Sequence, residues 1–347
     1  MRGVIGPMPA SGVKPGHPAS IRDVARIAGV SRQTVSRVIN AHPSLRPETR
    51  DRVQAVIDQL QYRPNRVAQA LGTNRSTTIG VVVHQRAMYR QAAALEGIES
   101  AAQALGYLVN TTNLATDTSA AIAQALDRQL DQRVAGLVVI APQTKVLHAI
   151  EALALEVPYV LLHAPSPEDP HALFVDQLAG ARAATRHLLE LGHHDVYHLA
   201  GPQQWIEAEA RMQGYLDEMI EADQPVAAPI LGDWTADFGY YAGRELVRSR
   251  DFTAVFAGND LMALGLLHAF RDAGLEVPRD VSVVGFDDVP EAAHYFPPLT
   301  TVRQDFTELG RQCVTRLLRA VDAGDVEAGP PIAPQLVVRS STGTARR

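Results

Sequence analysis

Arg32, Gln33, Ser36 and Arg37 lie within six positions and have side chains of the types that read nucleic-acid base edges. An arginine guanidinium offers two parallel donors to guanine, and a glutamine amide pairs a donor and an acceptor with adenine. Ser31, Thr34 and Ser36 carry short hydroxyls suited to phosphate oxygens, and a helix N-terminus already favours an anion. These groups act together only if one surface presents them. Val35, Val38 and Ile39 recur at helical spacing, so a short helix buries them and exposes Arg32, Gln33, Ser36 and Arg37 opposite, with Asn40 at its end.

A second element must hold that helix. Ser20 is a good N-cap, with Asp23 favouring the positive end of a first helix. Val24 and Ile27 are expected to line its apolar face, and Ala25 is small where another helix crosses closely. Gly29 permits a tight turn, and Ser31 caps the next helix. Two short helices joined through glycine form a helix-turn-helix pattern. A plain helical hairpin with a solvated polar face is the bland alternative; here the turn geometry and the base-reading residues coincide. Pro47-Glu48 opens a third helix, with Val53, Val56, Ile57 and Leu60 as its stripe. Beyond Pro64, Asn65 caps a two-turn helix stopped by Gly72; so short a helix is stable only when docked.

Charge supports a polyanionic partner. The first 75 residues hold twelve Lys/Arg against four Asp/Glu, a net +8 in a chain of net −6, leaving −14 for the remainder. A basic head on an acidic body suits a partner reached by the head alone. Hydrophobic residues make up 46%, enough for a sizeable core, and no apolar run is long enough to span a bilayer. Residues 1–18 read as a disordered tail without a secretory leader, with Met8 an alternative start. Cys313 is the sole cysteine, which excludes an intrachain disulfide and a thiol zinc site. A cytoplasmic protein without membrane partner, cofactor or metal is expected.

From Thr78 the chain alternates apolar strands with amphipathic helices: strands at Thr78–Val83, Tyr107–Thr111, Gly136–Ile140, Tyr159–Leu162, Leu173–Asp176, Val196–Ala200, Ala254–Ala257 and Val281–Phe286. The helices between them are expected at Ala92–Leu105, Ser119–Leu130, Leu178–Leu191, Ile206–Ile220 and Leu261–Ala273. Such alternation means parallel sheets, too many strands for one small sheet, hence two lobes. Ligands bind outside the carboxyl ends of such strands. Asn259 and Asp260, Asp287 and Asp288, and Asp176 follow strands, and Arg211 sits in the helix after Gly201-Pro202. Carboxylates, amides and arginine hold sugar hydroxyls, and Trp234 and Phe306 offer apolar faces for a pyranose ring. Asp260 and Asp288 are expected to cap helices rather than touch ligand. No nucleophile elbow, phosphate-cradling glycine loop or histidine cluster points to an enzyme or a metal.

The segment Ser20–Leu71 resembles the head and hinge of the lactose/galactose repressor family, through Asp23-Val24-Ala25, Ala28-Gly29-Val30-Ser31, Thr34-Val35-Ser36-Arg37-Val38 and Pro64-Asn65-Arg66-Val67-Ala68. Gly232-Asp233-Trp234, Gly258-Asn259-Asp260, Gly285-Phe286-Asp287-Asp288 and Pro297-Pro298-Leu299-Thr300-Thr301-Val302 extend the resemblance to roughly residues 20–340. It implies an all-α helix-turn-helix head (19–64), a hinge helix and linker (65–76), and a two-lobed α/β effector domain similar to periplasmic binding proteins (77–343). The first lobe would take about 77–175 and 304–333, the second about 176–303 and 334–343.

The resemblance implies a homodimeric repressor, released from a palindromic double-stranded DNA operator by a small sugar-like effector. Asn65 and Arg66 would join the DNA contacts, Ala68 would face the minor-groove floor and Leu71 would wedge between base pairs. Arg211, Asn259, Asp287, Trp234 and Phe306 would touch effector, with Gln304 and Asp176 behind them. His163 stands where lactose-type members carry aspartate, and the loop from His84 to Arg90 is basic. An anionic metabolite held by Arg86 or Arg90 is therefore an alternative. A corepressing effector, or a solute-binding module without a role in transcription, stays open.

Overall fold

The computed structural model describes residues 19–346 except 40–44, 63–75, 85–88, 115, 117, 141–142, 154, 163–168, 250 and 325–327. The tail, the hinge helix, and Asn40, Asn65, Arg66, Ala68, Leu71, Arg86 and His163 lie outside the described residues. The chain divides into two units, Met1–Ser76 and Thr77–Arg347.

In the first unit, helices α1 (Ile21–Ala28), α2 (Arg32–Ile39) and α3 (Pro47–Gln59) surround a core of Val24, Ala25, Ala28, Val35, Val38, Val53 and Val56. Ser20 and Asp23 form a reciprocal capping box: Asp23 N–H donates to Ser20 Oγ, and Ser20 N–H donates to Asp23 Oδ2 at 3.0 Å. Those hydrogen bonds hold the Asp23 carboxyl below its ordinary range. Gly29 ends α1 at φ +64°, a left-handed conformation that costs glycine little. The expected core role of Ile27 is corrected, since it is 41% exposed. The buried face centres on Val24, Ala25 and Ala28, where small side chains admit the neighbouring helices, and Ile27 lies about 100° around the helix from that centre.

The second unit contains two sheets. The first comprises β1 (Thr78–His84), β2 (Leu108–Leu114), β3 (Gly136–Ile140), β4 (Tyr159–Leu162) and β5 (Ala172–Leu173) in the order β2-β1-β3-β4-β5. Helix α4 (Tyr89–Ala104) follows β1, and α5 (Ser119–Asp131) and α6 (Thr144–Ala152) cover the opposite face. After β5 the chain enters α7 (Gln177–Glu190) and builds the second sheet from β6 (Val196–Ala200), β7 (Ile230–Leu231), β8 (Ala254–Ala257), β9 (Ser282–Asp287) and β10 (Thr300–Arg303). Between those strands run α8 (Ile206–Glu221), α9 (Ala236–Ser249) and α10 (Asp260–Asp272). Helix α11 (Phe306–Ala323) returns to the first sheet's core, and β11 (Gln335–Val337) pairs antiparallel with β10.

All other described strand pairs are parallel, and the central strands β1, β3, β4 and β8 are rich in Val, Ile, Leu and Ala because both faces are covered. The strand expected over Leu173–Asp176 is shorter. It ends at Leu173, and Asp176 instead caps α7, accepting Ala179 N–H at 2.9 Å. Helix α9 packs through Gly239, Ala242 and Gly243, with Leu246 its only large buried apolar residue among the described residues.

His198 on β6 gives the second sheet an acid-sensitive point. It is fully buried between Phe256 (4.6 Å) and Tyr215 (5.1 Å), with Nδ1 donating to the Phe256 carbonyl at 2.9 Å and Nε2 without a partner among the described residues. Burial holds its pKa down to about 4. An unfolded histidine binds its proton near pH 6.5, so between the two values the unfolded chain holds more protons, and stability falls as pH drops through that window. We expect His198→Phe to remove about 3 kcal/mol of the stability lost between pH 7 and pH 4. Urea unfolding of both proteins at the two pH values checks this; equal acid losses would refute it.

Candidate functional site

In the helical unit, α2 presents Arg32, Gln33 and Arg37 exposed and Ser36 half-buried, opposite buried Val35 and Val38. Ser31 and Thr34 are engaged at the helix start: Thr34 N–H donates to Ser31 Oγ at 3.1 Å, and the two hydroxyls lie 2.9 Å apart. Their hydroxyls thus fix the N-terminus of α2, and Arg32, Gln33, Ser36 and Arg37 form the outward reading face.

In the larger unit, a buried polar cluster sits at the carboxyl ends of the strands. Asp287 ends β9, and Gln304 follows β10. Glu207 and Arg211, one helical turn apart, share a face of α8 near its N-terminus, and Arg90 starts α4 beside the first sheet. Arg211 Nη2 lies 3.3 Å from Asp287 Oδ1, and its Nε donates to Gln177 Oε1 at 2.9 Å. Its Nη1 donates to the Gly258 carbonyl, and its guanidinium lies 3.8 Å from the Phe286 ring centroid. Gln177 Nε2 donates to Gln304 Oε1 (2.8 Å), and Gln304 Nε2 donates to Asp287 Oδ1 (2.7 Å). Arg90 Nη1 donates to Glu207 Oε2 at 3.0 Å, and its Nε is 3.9 Å from Asp287 Oδ2. All four charged side chains are at least nine-tenths buried.

Burial pushes Asp287 above the ordinary carboxylate value, opposed by Arg211 and Arg90, and lowers Arg211 to about 10. For Arg90, the pull of Glu207 and Asp287 outweighs burial and raises the pKa. Both arginines therefore stay charged at neutral pH, and among the described residues they face the carboxylates of Glu207 and Asp287.

Two site residues sit in strained backbone. Trp234 at φ +73° and Asp287 at φ +109° occupy the region that favours glycine, which costs roughly 1–3 kcal/mol each. The Trp234 ring lies so close over Gly201 that any β-carbon there would collide with it. The Trp234 carbonyl accepts from Asn259 Nδ2 at 3.0 Å.

The sequence-derived site residues therefore divide. Arg211, Asp287 and Gln304 meet in one hydrogen-bonded group, and Arg90 joins it through an ion pair to Asp287 at 3.9 Å, with Trp234 5.1 Å from the Arg90 guanidinium. Asn259 reaches the cluster's edge, but its side chain caps α10 (Met262 N–H to Oδ1, 2.8 Å) as well as holding Trp234. Phe306 packs in the first sheet's core, edge-on to Tyr89 at 6.0 Å. Asp176 caps α7 through Oδ1. Asp260 and Asp288, expected as caps, are ties: Asp260 accepts from Val289 N–H and Thr301 Oγ1, and Asp288 binds Arg303 and Arg339. Sequence reasoning missed Glu207 as the partner of Arg90, although its i, i+4 spacing to Arg211 is a usable signal. It also missed Gln177.

Among the described residues, the buried donors Arg90 Nη2 and Trp234 Nε1 at this cluster lack hydrogen-bond partners. Donors beside an indole suit a ligand rich in acceptor oxygens with an apolar ring face. Among the described residues no group of three or more His, Cys, Asp and Glu could hold a metal, and no helix is long and apolar enough to cross a membrane.

Residues 20–65 match the family described as bacterial regulatory proteins, lacI family, and residues 185–342 match the periplasmic binding protein-like domain. The chain is 35% identical to the lactose operon repressor of Escherichia coli (strain K12), over 94% of this chain and 91% of that protein. It is 36% identical to the HTH-type transcriptional regulator CelR of Thermobifida fusca, over 85% and 89%. Its fold is similar to a crystal structure of the lac repressor dimer bound to operator and the anti-inducer ONPF, with a TM-score of 0.88, 35% identity and 94% and 100% of the two chains covered. A CelR–cellobiose complex is also similar, with a TM-score of 0.69, 32% identity and coverage of 93% and 99%.

Proposed function

The chain belongs to the lacI family of bacterial regulatory proteins, and from that premise we infer that it is a DNA-binding transcription repressor whose hold on an operator is set by a sugar-like effector. The similar lac repressor was solved as a dimer on its operator, and CelR with cellobiose. We assign this chain the same kinds of partner: a palindromic duplex, a second copy of itself and a small carbohydrate. The work is cytoplasmic, where the DNA lies, and involves no catalysis.

The observation that carries the effector half is the buried cluster joining Arg90 beside the first sheet to Glu207 and Asp287 on the second. A ligand entering there changes what connects the two sheets. It shifts the DNA-binding equilibrium only by the difference between its affinities for the two states. We assign relief of repression to effector binding. The α2 face of Arg32, Gln33, Ser36 and Arg37 supplies base contacts in the major groove.

The anionic alternative loses its basis at Arg90, whose guanidinium is already paired to Glu207 and near Asp287. Anisotropy on a palindromic promoter fragment, titrated with a neutral sugar panel, tests the whole reading. One sugar should weaken operator binding about tenfold or more, a difference of about 1.4 kcal/mol between states. A sugar that tightens binding makes the effector a corepressor. Failure to bind any duplex at low salt sinks the repressor.

A further inference from the structure

We propose that Glu207 is a specificity-determining residue that fills, from within the protein, the place beside Arg90 that a ligand's anionic group would take. The cleft then admits uncharged ligands with acceptor oxygens and turns away their carboxylate and phosphate counterparts. This rests on the cleft being the effector site.

Three observations converge. The Arg90–Glu207 contact is short and dry, at 3.0 Å with each side chain 3% exposed. Its partners come from helices on different sheets, 117 residues apart, so local sequence does not hold them together. The guanidinium lies over both tryptophans of the chain, 5.6 Å from the Trp205 ring centroid and 5.1 Å from that of Trp234.

Charge balance then selects the ligand. Among the described residues, Arg90 and Arg211 are matched by Glu207 and Asp287. A bound anion would leave one buried negative charge uncompensated, which a low-dielectric site strongly disfavours. A neutral polyol adds no charge, and its hydroxyl or ring oxygens can accept from the two unpartnered donors, Arg90 Nη2 and Trp234 Nε1. Removing the Glu207 charge while keeping its shape reverses the preference, because Arg90 then lacks its closest counter-ion.

The test compares the wild-type chain, Glu207→Gln and the double variant Arg90→Gln/Glu207→Gln. Inorganic sulfate at matched ionic strength is the anion probe, read by thermal shift and calorimetry. Galactose with galacturonate, and glucose with glucuronate, are the matched pairs. Sulfate should raise the melting temperatures of the wild-type chain and the double variant alike, by its general salting effect, and should bind Glu207→Gln at least about tenfold more tightly than either. Wherever the wild-type chain binds a neutral sugar, the paired uronate should bind at least about tenfold more weakly.

A uronate bound by the wild-type chain as tightly as its neutral partner overturns the proposal. So does a folded Glu207→Gln chain that gains nothing for sulfate. If Glu207→Gln does not fold, the wild-type uronate comparison and sulfate binding by Glu207→Ser decide in its place. A sulfate gain in Glu207→Gln without any sugar bound by the wild-type chain supports the charge filter and counts against the carbohydrate effector, so the two failures are distinguishable.

Discussion

Arg211→Ala lowers the stability of the effector unit by about 3–5 kcal/mol and abolishes the operator response to sugar. The loss has a specific origin. Arg211 is 1% exposed and its guanidinium bonds Gln177, the Gly258 carbonyl and Asp287 while covering the Phe286 ring. Truncation leaves Asp287 buried, with Arg90 at 3.9 Å as its nearest remaining cation among the described residues, and empties a volume that the neighbouring strands cannot close. Pairing Arg211→Met with Asp287→Asn should recover most of the loss, because no buried charge is left uncompensated. Asparagine tolerates the positive φ at 287, and its amide oxygen can still accept from Gln304 Nε2. The double variant should fold yet stay deaf to sugar. Urea unfolding followed by the fluorescence of Trp205 and Trp234, both buried near the cluster, measures the stabilities. A single variant costing less than about 1 kcal/mol would mean that Asp287 accepts a proton and that the pair is not ionic in the folded protein.

Arg32→Ala has the second large effect, on the DNA side. Arg32 is exposed at the first position of α2, so its removal should change folding stability by no more than about 0.5 kcal/mol. A lost bidentate base contact costs about 1–3 kcal/mol, or roughly 5–150-fold in operator affinity, and relaxes the preference at one base pair per half-site. Gln33→Ala should act alike at a neighbouring position, whereas Arg22→Ala, outside α2, should weaken all sequences evenly if it touches phosphate at all. Binding to single-position operator variants separates these patterns. Equal losses of Arg32→Ala on operator and scrambled duplex would remove α2 from the groove.

Where the site was legible in the sequence, the cause was local. The Ser20–Asp23 capping box, the glycine at 29 and the valine spacing of α2 act within one or two helical turns, so they could be read and sorted without a partner. Ile27 went wrong because two alanines, small rather than strongly apolar, set the face of α1. The strand-end position of Asp287, and that of Arg211 early in the helix after β6, followed from the alternation of strands and helices, since parallel sheets place their carboxyl ends together. The early end of β5 before Asp176 and the helix α9 were not anticipated, and the buried face of α9 is mostly glycine and alanine.

Periodicity and turn chemistry over a few residues set the helix-turn-helix, the two-sheet body and the polar residues at the strand ends. What each polar group does once there depends on long-range packing. Asn259 caps a helix and holds Trp234, Asp176 caps another, Asp288 ties Arg303 to Arg339, and Glu207 meets Arg90. A buried donor or acceptor is expensive to leave unmet, so its role goes to whichever partner the fold brings within hydrogen-bonding distance. That partner can be more than a hundred residues away.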